Sequence, residues 1–357
     1  MSEQKKTNLY EIHEKFGAKM VPFAGFWMPL KYSSIQEEHL AVRQAAGLFD
    51  VSHMGEFIIS GVGAEDFLQS LLTNDVKKLK PMRCHYTTMC NEKGGIIDDL
   101  LLYRFEDYFM IVVNASNRKK NWKWLQKHSV ENVSIVDKSD EISLIALQGP
   151  KSIEIAGRIY PELLSTKKNR IIEKQFNGAM LKIATTGYTG EYGIEIYCNN
   201  TVSAGIWNKI METGKSYGIK PIGLGARDTL RMEMGYCLYG NDIDETTSPL
   251  NSGLRWVVKM KKGDFIGREI FVANEPKQTL VGLLSESKAI PRKGNSVFFD
   301  GNRIGEVTSG GFSPSLKQGI AIARIVLNQD EEGKRVNIEI RNKQVSAQIV
   351  HFQILKK

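Results

Sequence analysis

Two carboxylates, Asp98 and Asp99, stand side by side at the head of the apolar run Ile96–Phe105. Successive side chains of a strand point to opposite faces. Ile97, Asp99, Leu101, Tyr103 and Phe105 therefore share one face, and Asp98 joins Ile96, Leu100 and Leu102 on the other. A carboxylate at the edge of an apolar surface is poorly solvated, which favours its neutral form and makes it a better proton acceptor near neutral pH. The chemistry on offer is general acid–base catalysis. The alternative is structural, with both carboxylates capping the turn at Gly94-Gly95 by accepting backbone N–H groups.

Three other clusters could do chemistry. The glycine-dense stretch Thr185–Cys198 carries Tyr188, Glu191 and Tyr192 into a strand on which Ile194, Ile196 and Cys198 alternate with Glu195 and Tyr197. Glu195 is either solvent-facing or a hydrogen-bond acceptor at the mouth of a pocket, where the glycines let backbone approach a ligand closely. Arg227 falls in the first turn of a predicted helix, a position the helix dipole disfavours for a cation, and Arg231 follows one turn later. An anion would relieve both; so would pairing with Asp228, Glu233 or another internal carboxylate. Asp50, Ser52 and His53 are hydrolase residue types. Triad members meet in space from separate loops, however, and the chain has no G-x-S-x-G elbow.

The elements that must position these residues are legible from periodicity and punctuation. Asn91–Asn114 reads as a β-hairpin that turns at Glu106-Asp107 and returns along Tyr108–Val113. Ser34 and Glu37 have capping-box spacing and open a helix to Ala46, with Gly47 as its stop. Phe16–Pro29 reads as irregular and largely buried, and Leu48–Ile59 as one strand whose polar residues face a site or a turn. Ser116 is expected to cap a basic helix reaching His128, with Trp122 and Trp124 on its core face rather than on nucleic acid. Beyond the linker Asn274–Gln278, six strand-length pieces follow at short intervals, the pattern of a small all-β barrel or sandwich. The longer first segment mixes helices and strands without regular βαβ alternation, so the fold class is α+β.

Composition bounds the rest. The 357 residues suffice for two or three domains, and 42% hydrophobic content supplies their cores. No apolar run reaches membrane-spanning length, and the first residues carry no secretory h-region, which predicts a cytoplasmic protein. Cys84, Cys90, Cys198 and Cys237 form no CxxC pair, and the histidines show no ligand spacing, so neither a disulfide framework nor a metal site is expected. The net charge of +8 favours an anionic partner.

Composition and spacing do not name a reaction, but a set of motifs does. The pieces AGFWMP (residues 24–29), FDVSHMGE (49–56), LLTNDV (71–76), GGIIDDLLLY (94–103), LQGP (147–150), TGYTGEYGIE (186–195), GLGARDTLRME (223–233) and TSGGFSP (308–314) occur in one order along the chain. Together they resemble the aminomethyltransferases, the T-proteins of the glycine cleavage system, over nearly the whole length. The resemblance implies a multi-lobed folate-binding fold with two interleaved α+β lobes over residues 1–275 and a C-terminal β-barrel domain over 276–357, the lobes surrounding a central opening. It implies tetrahydrofolate as the one-carbon acceptor, no metal, lipoylated H-protein as the partner, and P-protein and L-protein as functional associates, without nucleic acid or membrane.

The same resemblance assigns residues. Asp99 takes the place of the family's important carboxylate, assisting proton transfer at the folate nitrogens. Glu195 matches the acceptor of the pterin N–H donors, and Arg227 a substrate-binding arginine. Tyr86, Tyr188 and Tyr239 are the expected aromatics around the pterin, and Asn114 lines the same cavity. Two relatives are set aside. The folate-binding paralogue of iron–sulfur cluster maintenance has a cysteine in its K-G-C-Y-x-G-Q motif where this chain has Asp264, and sarcosine or dimethylglycine dehydrogenases carry a flavin domain that this chain lacks. One departure concerns the end of the chain. Family members place an arginine or lysine shortly after a terminal aromatic, whereas here Phe352 is followed only by Lys356-Lys357, which lack the bidentate fork of arginine.

Overall fold

A computed structural model describes residues 4–355; Lys356-Lys357 lie outside the described residues. The chain folds as two compact units, which it enters more than once. The first runs up to Phe67 and takes in Lys77–His85 and Leu100–Asp228; the second takes in Leu68–Val76, Tyr86–Asp99 and the chain from Thr229 onward. The strands Arg83–Cys90 and Ile96–Arg104 and the helix Leu224–Glu233 each carry the chain from one unit into the other.

The first unit is built on a six-stranded sheet in the order Ile171–Phe176, Ala179–Ala184, Gly193–Asn199, Ile142–Gln148, Gly47–Asp50, Lys220–Ile222. All pairings are antiparallel except the last. Alternation drives its packing: Ile194, Ile196 and Cys198 join Leu48, Ile145, Leu147 and the wholly buried Trp207 in one apolar cluster. Glu195 and Tyr197 therefore point the other way. A second sheet contains Tyr108–Val113, Gly55–Ser60 and Ser134–Asp137. The expected hairpin is present, with strands Ile96–Arg104 and Tyr108–Val113 and the bond Phe105 N–H to Tyr108 O at 2.9 Å closing its turn.

Four local expectations are corrected. Phe16–Pro29 is a regular hairpin, Lys19–Phe23 against Phe26–Lys31, and Phe16 and Phe23 are exposed rather than buried. Leu48–Ile59 is two strands in two sheets, because an Asx turn intervenes: Asp50 Oδ1 accepts from Ser52 N–H at 2.9 Å, and Met54 N–H donates to Val51 O. The Ser34 cap holds, its hydroxyl oxygen accepting from Glu37 N–H at 3.2 Å, but the helix Ile35–Gln44 ends before Gly47. Gly47 begins a strand, and a Cβ there would lie 2.4 Å from Ile222 Cγ1 and 2.5 Å from Val42 Cγ2, so close packing explains this glycine. Ser116 falls inside a 3₁₀ turn, Ala115–Asn117, and the basic helix starts only at Arg118. On that helix Leu125 is buried and Trp122 packs on Phe57, as the core-face reading requires.

The second unit contains a closed barrel in the order Gln278–Ser285, Gln318–Val326, Asn302–Ser313, Ser296–Phe299, Arg335–Ile340, Lys343–Val350, the last strand pairing with the first. Its interior is aliphatic: Leu283, Val297, Val307, Ile325, Ile338 and Ile349 form one buried cluster. A barrel has no open edge, which suits strands this short.

Candidate functional site

In the first unit the chemistry gathers around Glu195. Gln148, of the LQGP piece, shapes the loop that carries it. Its amide donates to Thr186 O at 3.0 Å, and its oxygen accepts from the Thr189 hydroxyl at 2.9 Å. A Cβ at Gly187 would lie 1.8 Å from Gln148 Oε1, and one at Gly193 would lie 2.2 Å from Nε2 and 2.6 Å from Leu147 O, so a side chain at either position would displace the Gln148 amide from these bonds. The loop is pinned further by Arg43, which donates to Thr189 O and to the Glu191 carboxylate. Glu191, one of the residues singled out above, is thereby occupied in holding the loop.

Glu195 itself is half-buried. One carboxylate oxygen accepts a short hydrogen bond from the Thr186 hydroxyl, and behind it the Tyr103 and Tyr197 hydroxyls lie 2.8 Å apart. Burial pushes its carboxyl above the ordinary range, against the opposing pull of Thr186, Arg227 and Tyr103. Arg227 lies over the Tyr188 ring, 4.5 Å from its centroid, and makes no ion pair among the described residues. The structure thus brings Glu195, Arg227 and Tyr188 together. Asn114, also in this unit, opens the 3₁₀ turn Ala115–Asn117, its carbonyl accepting from Asn117 N–H at 2.9 Å.

Sequence reasoning did not single out His53 beyond the triad types. It is buried, its Nδ1 meets no hydrogen-bond partner among the described residues, and Phe23 packs edge-on against it. Burial, reinforced by Arg227, pulls its pKa down to about 3, so the imidazole is neutral. Asp50 is no triad partner. It accepts from the Thr7 hydroxyl at 2.7 Å and from His13 Nε2–H at 2.9 Å.

In the second unit the chemistry gathers at the head of the strand Ile96–Arg104. Asp99 Oδ2 accepts from the Tyr86 hydroxyl at 2.9 Å, and the Tyr86 ring stacks on the exposed Trp256 with centroids 5.7 Å apart. Tyr239 donates to Ile96 O at 3.0 Å, and Tyr86 and Tyr239 pack on the same apolar cluster. Asp98, on the other face, is fully buried while Asp99 is half-exposed, so the two carboxylates have separate fates. The head of this strand is tightly placed. Ile96 N–H is held by Asp244 O and Thr247 O, and a Cβ at Gly95 would lie 1.7 Å from Glu245 O. The LLTNDV piece supports the neighbouring strand: Asn74 donates to Tyr86 O at 2.9 Å, and Thr73 and Thr88 share a hydroxyl pair at 2.8 Å. Trp256, which sequence reasoning missed, is signalled only by being a large apolar residue left exposed.

Arg231 is resolved in the same unit as a structural cation. It is almost wholly buried, pairs with Asp242 at 2.8 Å and donates to the Ser309 hydroxyl of the TSGGFSP piece at 2.9 Å. Among the described residues, no group of three or more His, Cys, Asp or Glu is arranged to hold a metal ion, and no helix is long and apolar enough to cross a membrane.

This geometry belongs with a known class. Residues 9–262 match the family model of the GCVT N-terminal domain, and residues 278–355 that of the glycine cleavage T-protein C-terminal barrel domain. The chain belongs to the glycine cleavage T-protein family. It is 45% identical to the aminomethyltransferase of Prosthecochloris aestuarii over 99% of both chains, and 46% identical to that of Caldanaerobacter subterraneus over 99% of this chain and 96% of the relative. Its fold superposes with a TM-score of 0.91 on the crystal structure of the glycine cleavage system aminomethyltransferase T of Bartonella henselae, at 35% identity and covering 99% of this chain and 98% of that one. Its activity is accordingly that of an aminomethyltransferase of the glycine cleavage system.

Proposed function

We propose that the seven residues assigned by family resemblance carry this activity, with tetrahydrofolate as acceptor and lipoylated H-protein as donor. In the reaction the aminomethyl carbon leaves both its amine and the lipoyl sulfur and becomes bonded to N5 and N10 of the folate. Two protons leave those nitrogens; one ends on the departing ammonia and one on the dihydrolipoyl thiol. A residue able to receive and return a proton at the folate nitrogens is therefore needed, and Asp99 is our assignment. The observation that carries it is the Tyr86 hydroxyl bond to Asp99 Oδ2 on a strand whose other carboxylate is sealed in the core. The bond orients one oxygen and leaves Asp99 half-exposed.

Glu195 then accepts the pterin's amino and ring N–H donors, a bidentate pairing that is stronger than neutral hydrogen bonds. Arg227 binds the substrate as a cation not committed to an internal carboxylate, and Tyr188, Tyr86, Tyr239 and Asn114 complete the pterin surroundings. Burial keeps the four cysteine thiols protonated, so they supply no competing thiolate. The remaining rate advantage comes from holding the reactants in register and keeping water from the aminomethyl carbon. We further assign a division at residue 275 between the folate-binding region and the barrel domain, which the two family matches, ending at 262 and starting at 278, support. We also assign a cytoplasmic site of action, as the family resemblance implies.

The test is tetrahydrofolate-dependent ammonia release from aminomethyl-loaded H-protein. Asp99→Asn is expected to bind folate as the unaltered protein does and to lose about 10²- to 10⁴-fold in turnover. Equal turnover in the two proteins refutes the assignment of Asp99.

A further inference from the structure

Behind Glu195 lies a line of hydroxyls that the activity leaves unexplained. The Thr186 hydroxyl donates to Glu195 Oε2. Thr186 Oγ1 lies 3.4 Å from the Tyr103 hydroxyl, which lies 2.8 Å from that of Tyr197. Tyr103 and Tyr197 are almost wholly buried and meet edge to face, with centroids 5.4 Å apart. Each hydroxyl has one proton to donate. Among the described residues the Tyr197 hydroxyl has Tyr103 as its one partner, so Tyr197 donates to Tyr103. Tyr103 then turns its proton towards Thr186, and Thr186 spends its own on the carboxylate. The direction of the line is thus set by its blind end, and three aligned dipoles point at Glu195. Aligned hydrogen bonds in a low-dielectric interior polarise one another and favour the charged acceptor.

We infer that Tyr197, Tyr103 and Thr186 are positioning residues that hold Glu195 as an oriented anion, ready to accept a ligand carrying two adjacent N–H donors. This rests on the reading of Glu195 as the pterin acceptor. Glu195 also faces Arg227 from the helix Leu224–Glu233 and Cys84 from the strand Arg83–Cys90. Tyr197 is further faced by Glu56 from the strand Gly55–Ser60. Cys84 and Glu56 are kept neutral by burial, so Arg227 is the one other charge that favours the Glu195 anion.

The test is tetrahydrofolate affinity between pH 5 and pH 8 for the full-length chain and four variants. Thr186→Val removes the donor that touches the carboxylate, Tyr103→Phe breaks the line in the middle, Thr186→Ser keeps the hydroxyl, and Glu195→Gln removes the charge and turns one of the two acceptor oxygens into a donor. Thr186→Val and Tyr103→Phe are expected to weaken binding about tenfold at pH 6 and less at pH 8, with the acid-side loss of affinity moved to higher pH. Thr186→Ser is expected to match the unaltered protein at every pH, a rescue that a purely structural role of the methyl-bearing side chain would not produce. Folded Thr186→Val and Tyr103→Phe proteins with the unaltered pH profile overturn the inference while a weakened Glu195→Gln keeps the pterin reading. Unaltered affinity in Glu195→Gln overturns both. If Tyr103→Phe fails to fold, the Val and Ser pair at position 186 decides.

Discussion

Asp50 and Glu195 are carboxylates of one sheet, on strands that flank the same central strand, with Asp50 opposite Ile145 and Glu195 opposite Ala146. Their surroundings differ completely. Asp50 is 3% exposed and accepts from Thr7, His13 and the Ser52 amide. Burial opposes its charge, but His13 and Ser52 overcome that and hold its pKa at about 2. Glu195 is half-buried, takes one hydroxyl bond, and has its carboxyl pushed up by burial. A carboxylate whose lone pairs are all spoken for stabilises the fold. One with acceptor capacity left over is available to a ligand. Glu56, on the other sheet, marks a third state: it is fully buried, and neither oxygen meets a hydrogen-bond partner among the described residues.

The comparison breaks first at Asp50. Asp50→Ala should cost about 3–5 kcal/mol, because it strands buried donors, including His13. The unaltered protein should also lose stability in acid. The folded pKa lies below the ordinary 3.8, so the stabilisation, about 2 kcal/mol, is present above pH 3.8 and disappears as pH falls through about 2. Denaturant unfolding measures both, and an unaltered unfolding midpoint in Asp50→Ala would place Asp50 outside the structural class. Next comes Glu195→Ala, expected to weaken tetrahydrofolate binding roughly 10- to 100-fold with a change in stability below about 1 kcal/mol. A large stability loss with unchanged affinity would put Glu195 alongside Asp50.

The smallest effect is expected at Glu56. Burial raises its folded pKa well above the ordinary 4.5. Such a group destabilises the fold as pH rises above 4.5, because the unfolded chain releases the proton and the folded chain keeps it. Glu56→Gln does not titrate, so it should equal the unaltered protein near pH 4 and exceed it in stability at pH 8. Equal unfolding midpoints at pH 8 would mean that the carboxyl has the partners Asp50 enjoys.

Much of this was readable from residue order. The Asp98-Asp99 hairpin, the barrel strands and the Ser34 cap follow from alternation and turn residues, which act over a few positions. The reading failed where a distant partner decides. Gly47 reads as a helix stop, yet Ile222 and Val42 leave room there only for glycine. Arg227 and Arg231 look equivalent one turn apart, yet Asp242 claims Arg231 while Arg227 lies over Tyr188. Gln148 belongs to a motif whose sequence says nothing of the loop it holds, 38 residues on at Thr186. Trp256 lies in no motif, and its stack on Tyr86 exists only in the folded chain.

Residue order by itself determined the family, the α+β class with its β-barrel, and the identity of Asp99, Glu195 and Arg227 as residues to test. These depend on short-range patterns that the chain repeats wherever it is written. Only the tertiary structure decided which of the acids are saturated and which retain acceptor capacity. Hydrogen-bond satisfaction depends on donors such as His13 and Thr186, which reach their carboxylates from other parts of the chain once burial has brought them together.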